Sequence, residues 1–158
     1  MLSMLHERLA EAHGLTMAGS KAAAQVEERT ADDRLRAGVR RIRGEADDIR
    51  RRCLALEREL GGVGEEILAR ANTVDERGAD LAGAWFKAGT DTLTAWTFLA
   101  MGEAGELAAW SAVEQLAQGD LHRLAAWSRS LHEQHLRFAL DAVAALAAAR
   151  EPAAPRPG

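Results

Sequence analysis

Apolar residues recur along most of this chain at alternating spacings of three and four. That is the period of a helix with one buried stripe, not the strict alternation of a half-buried strand. The clearest run is Leu35, Val39, Ile42, Ala46, Ile49, Cys53, Leu56 and Leu60, which predicts a helix over 31–60. Thr30-Ala-Asp-Asp33 supplies an N-cap and acids in the first turn, where the helix dipole favours them, and Gly61-Gly62 supplies the stop. A looser run from Leu2 through Leu5, Leu9, Ala12, Leu15, Gly19, Ala22 and Val26 predicts a helix over 2–28. Its middle, Gly14-Leu-Thr-Met-Ala-Gly-Ser20, is rich in small residues, which allow close helix approach within the chain or across a dimer interface.

Two further helices follow, over 91–118 and from Asp120 to about 149, with Gly119 between them. The seam of the first reads Trp96, Ala100, position 103, Leu107, Trp110; that of the second reads Leu121, Leu124, Ser128, Leu131, His135, Phe138, Ala142. Residues 63–89 are the least regular, and read as short helical pieces broken at Asn72-Thr73 and Gly78. The fold expected is therefore all-α: a four-helix bundle of two antiparallel helical hairpins joined by a long crossover containing short helices. One domain covers 1–149, and the Pro-rich stretch 150–158 is expected to be disordered.

Composition agrees with helices. The 158 residues include 3 Pro and no Tyr, with Ala, Leu, Glu and Arg abundant and β-branched residues few. A net charge of -4 provides no global field toward nucleic acid or anionic lipid. The single Cys53 excludes an intrachain disulfide framework, and its place on an apolar seam predicts an inert thiol. No apolar run approaches the roughly 18–20 residues of a membrane span, so no membrane association and a cytoplasmic location are expected.

One seam position breaks the pattern. Position 103 should be apolar and is Glu103, with Glu106 one turn further on. A carboxylate buried without a partner costs several kcal/mol, of order ~1–5, so a seam glutamate demands a cation, a hydrogen-bond network or water. The last helix offers His132 and His135 at the same i, i+3 spacing, with Glu133 between them about 100° away around the helix. Two carboxylates facing two imidazoles across antiparallel helices suit Zn, Fe or Mn; a polar core layer of hydrogen-bonded residues explains them equally. Glu45 and Asp48 form a second candidate pair, although Arg41 and Arg52, each four residues away, account for both as intrahelical ion pairs. On the first helix only one of Glu11 and His13 can face the bundle centre. Arg36, Arg40, Arg43, Arg50 and Arg51 make a basic stripe, but with Asp32, Asp33, Asp47, Asp48, Glu57 and Glu59 around it the stripe reads as a solvated face, and nucleic acid is not the expected partner.

Four stretches, Leu5-His-Glu-Arg-Leu-Ala-Glu11, Arg43-Gly-Glu-Ala-Asp-Asp48, Gly102-Glu-Ala-Gly-Glu-Leu107 and Leu131-His-Glu-Gln-His135, resemble the ferritin-like superfamily, in particular its small bacterial stress proteins. The resemblance spans residues 2–149. It implies that Glu11, Glu45, Glu103 and Glu133 are the carboxylate ligands of a di-iron centre, with iron oxidation and reaction with O₂ or peroxide as the chemistry. The two halves echo each other, 34 residues separating Glu11 from Glu45 and 30 separating Glu103 from Glu133. The chain departs from that pattern at Asp48 and Leu136, where histidines belong.

Two functions are compatible with these residues. One is a bundle that binds iron, or Mn or Zn, through a set drawn from Glu11, Glu45, Asp48, Glu103, Glu106, His132, Glu133 and His135, and handles iron or peroxide. The other is a non-enzymatic structural or oligomerisation bundle with no metal. In both, helix faces are expected to form a homo-oligomer, a dimer or larger.

Overall fold

A computed structural model describes residues 1–150. Five helices make up almost all of it: α1 (Met4–Glu28), α2 (Asp33–Glu59), α3 (Gly62–Trp85), α4 (Thr92–Leu116) and α5 (Gly119–Arg150). No strand occurs among the described residues, so the all-α expectation holds. The tail expected over 150–158 lies, apart from Arg150, outside the described residues.

The ends follow the capping chemistry. Ser3 caps α1, Asp32 accepts from the Leu35 amide at 2.8 Å to cap α2, and Asp91 accepts from the Thr94 amide at 2.7 Å to cap α4. Gly61 and Gly119, both at φ 61, turn the chain between consecutive helices in a conformation that other residues rarely adopt.

The expected broken crossover is instead one continuous helix. Tertiary packing outweighs the low helix propensity of Gly78, because α3 lies along α1 and a Cβ at this position would come within 2.5 Å of the Ala18 Cβ. Thr73, the other supposed break, returns its hydroxyl to the Ala69 carbonyl at 3.3 Å without interrupting the helix. The small residues of α1 serve this contact too: a Cβ at Gly14 would lie 2.4 Å from the carbonyl oxygen of Ala71. The close approach anticipated for this stretch is made inside the chain.

Residue pairs give the directions. His13 meets Glu57 and Ser20 meets Asp47, so α1 and α2 are antiparallel; Thr30 meets Trp96 and Thr16 meets Trp110, so α1 and α4 are antiparallel. Contacts run α1 to α2, α2 to α5, α5 to α4 and α4 to α1, while α3 packs chiefly against α1 and also meets α2 and α4.

The interior divides into two apolar clusters. Val26, Val39, Ile42, Trp96 and Leu99 belong to one; Leu9, Ile49, Cys53, Ile67 and Trp110 belong to the other. Between them in sequence, on α4 and α5, fall the buried polar residues Glu103, Glu106, Ser128, His132 and His135. Cys53 is buried and free, and burial pushes its thiol far above the usual range, as an inert seam cysteine should be. Among the described residues, no helix is long and apolar enough to cross a membrane.

Candidate metal centre

Glu103 is 2 % exposed, and the helical register of α4 carries Glu106 into the interior beside it. Opposite, α5 presents His132 and His135, both fully buried. The i, i+3 spacing that puts each pair on one face is therefore realised on both helices. Glu103 Oε2 lies 2.7 Å from His132 Nδ1 and 3.3 Å from His135 Nδ1, the second contact being poorly aligned for a hydrogen bond. Glu106 Oε2 lies 3.9 Å from His132 Nδ1. From α2, Glu45 Oε2 reaches His135 Nε2 at 2.9 Å. One donor atom from each of Glu103, His132 and His135 lies within 4.8 Å of the other two, close enough to share an ion.

Electrostatics separates the two glutamates. Burial raises the Glu103 carboxyl, but the contacts and charges of His132 and His135 outweigh it, and its pKa falls below the ordinary 4.5. Glu106 gains no such compensation: burial first, and then the negative charge of Glu103, push it well above 4.5. For His135, burial works against the cation, yet Glu103 and Glu45 together raise its pKa above 6.5.

Several polar atoms remain unspent. Glu106 Oε1, His132 Nε2 and His135 Nδ1 are buried with no hydrogen-bond partner. Buried polar atoms are normally satisfied, so the two orphaned imidazole nitrogens fit a group that completes its coordination with something else. Two imidazoles and two carboxyls are a donor set suited to Fe, Mn or Zn.

The other predicted ligands do not join this group. Glu11 is 43 % exposed and pairs with Arg8 at 2.6 Å; Glu133 is 51 % exposed and lies 3.5 Å from Arg129 and 3.7 Å from Arg137. The carry-over from the resemblance put Glu133 in the centre, but a residue 100° from His132 on the same helix faces outward when His132 faces in. Asp48 is also half-exposed, and its partner is Arg51, not the expected Arg52, whose guanidinium stacks 4.0 Å over the Trp127 ring. Glu45 does reach the group, with Arg41 3.7 Å from its other oxygen. The stripe arginines Arg40 and Arg43 both pair with Glu27 of α1.

One buried pair escaped the sequence reading. His13 Nδ1 lies 2.7 Å from Glu57 Oε1, with both residues 3 % exposed or less. His13 is thus the inward member of the Glu11/His13 choice, whereas Glu57 had been counted among the solvated acids. The signal was present: Ile49, Cys53 and Glu57 continue one seam at spacings of four.

No protein-family model, curated protein or solved structure matches this chain.

Proposed function

We propose that the protein is a ferritin-like four-helix bundle that holds a single transition-metal ion among Glu103, His132 and His135, with Glu106 available as a fourth ligand. The observation that carries this reading is the convergence of three ligand atoms from two helices on one buried point. Two histidines and one carboxylate with open positions are the donor set of non-haem Fe(II) sites that activate oxygen, so iron is the preferred ion and the handling of iron or peroxide in a stress response the preferred role. The four-carboxylate di-iron set implied by the resemblance lacks Glu11 and Glu133, whose carboxylates are tied to arginines at the surface. The ring of contacts through α1, α2, α5 and α4, with a long segment joining the second helix to the fourth, supports the ferritin-like assignment.

The test is metal analysis of the freshly purified protein and after anaerobic Fe²⁺ loading. About one ion per chain is expected, lost in Glu103→Ala; no metal under either condition sinks the proposal. Native mass measured on the same sample tests the homo-oligomer.

A structural bundle without metal is the second reading. It is favoured by the hydrogen bonds at 2.7 Å and 2.9 Å that already give His132 and His135 a carboxylate each. The orphaned ring nitrogens of His132 and His135 weigh against it.

A further inference from the structure

Between α1, α3 and α4 lies a cavity of about 90 Å³. It opens beside Leu81 and Gly102, both exposed, and ends at the buried carboxyl of Glu106. Ala18, Gly19, Gly78 and Phe98 are among its walls, and Glu106 is the one ionisable residue lining it. Glycine at position 19 is what leaves room for that carboxyl, since a Cβ there would lie 2.6 Å from Glu106 Oε1 and 2.8 Å from Oε2. Oε1 is buried and has no hydrogen-bond partner.

We infer that this cavity binds a small uncharged molecule with an apolar body and one hydroxyl or carbonyl oxygen, which meets the Glu106 carboxyl. The apolar wall strips water from whatever enters, so a charged head is disfavoured relative to a neutral one. A single unpartnered polar atom at the end of an apolar slot fixes one oxygen and nothing more. Scaled against a cavity of ~150 Å³ that accepts benzene, the space suits roughly three to four heavy atoms. The far oxygen of Glu106 is 3.9 Å from His132 Nδ1, so the bound molecule lies beside the candidate metal group. Binding stands by itself; that the molecule is a substrate rests on the metal reading.

Propan-1-ol, propylammonium and acetate are titrated separately into the metal-free full chain while the methyl NMR signals of Ala18, Leu81 and Leu99 are followed. Saturable shifts with propan-1-ol, stronger than with either ion, are expected. A Cβ at Gly102 would meet no atom within 4 Å, so Gly102→Leu folds, closes the mouth and abolishes the shifts. Glu106→Leu weakens propan-1-ol by roughly fivefold. No saturable propan-1-ol shift, preference for either ion, or undiminished binding to folded Gly102→Leu overturns the inference. Co²⁺ loading separates the two readings. Methyl shifts without any cobalt ligand-field bands refute the metal and keep the cavity site, and ligand-field bands without methyl shifts do the reverse.

Discussion

Glu45 of α2 holds the imidazole of His135 by its far nitrogen, Oε2 to Nε2 at 2.9 Å, leaving Nδ1 turned toward Glu103. A carboxylate on the second nitrogen of a metal-binding histidine fixes ring orientation and raises its basicity. In the proposed site Glu45 would therefore position His135 without itself meeting the ion. Glu45→Ala should lower metal affinity by about 10- to 100-fold without changing the number of ions bound, as measured by competition with a chelator. Complete loss of binding would instead make Glu45 a ligand.

Glu103 joins both imidazoles, so removing it alone is costly. In the metal-free protein Glu103→Ala should lower unfolding free energy by about 3–5 kcal/mol, because a buried charged group loses its partner. Replacing Glu103, His132 and His135 together with leucine should restore or exceed the original stability while abolishing metal binding. Urea denaturation of the three proteins distinguishes a site kept for function from a layer kept for stability.

The pH dependence follows from the directions of the shifts. Glu106 and His135 have folded pKa values above their ordinary 4.5 and 6.5, so their contributions are complete below those values and are lost as pH rises through the folded ones. Glu103 is shifted down, so its contribution is present above 4.5 and lost as pH falls through its folded pKa. The metal-free protein should therefore be most stable in mild acid, with the melting temperature declining toward alkaline pH. Metal binding displaces the same protons, so the Zn²⁺-induced rise in melting temperature should grow between pH 5 and 8, roughly the window of histidine titration. A rise independent of pH would place the metal elsewhere.

Two glycine positions should respond oppositely to alanine. Gly14 abuts the backbone of α3, with Ala71 carbonyl oxygen 2.4 Å from any Cβ, so Gly14→Ala should destabilise by roughly 1–3 kcal/mol. Gly44 lies within α2 and its Cβ would meet nothing within 4 Å, so Gly44→Ala should stabilise by up to about 1 kcal/mol. Thermal unfolding of the pair measures how closely α1 and α3 are packed.

Much of the site was legible because a helical seam has a strict period. Glu103 was conspicuous at a position that should be apolar, and the i, i+3 histidines of α5 could be set opposite it by the antiparallel pairing of hairpin helices. Transfer by resemblance and helical phase disagree at Glu11 and Glu133: both match the motif, and in this structure both carboxylates face arginines and water. Glu57 was hidden for the converse reason. Leu56 occupied the seam by its spacing, and nothing local reveals that the stripe of a long helix is wide enough to bury the next residue too. Residues 62–85 were misjudged because intrinsic propensity was read without the neighbour. Gly78 breaks an isolated helix, yet it is what lets this one lie against Ala18.

The two indoles of α4 each donate to a threonine hydroxyl, Trp110 to Thr16 within α1 at 3.1 Å and Trp96 to Thr30 just beyond its C-terminal end at 3.0 Å. Both threonines are themselves tied to α1, through the carbonyls of Val26 and Ala12. The two bonds lie the same number of residues apart on either side of the contact, so they act as a pair of rivets that oppose sliding or turning of α4 against α1. Glu103 and Glu106 fall between the rivets. The register that sets their depth in the molecule is thus fixed in part by neutral hydrogen bonds at a distance.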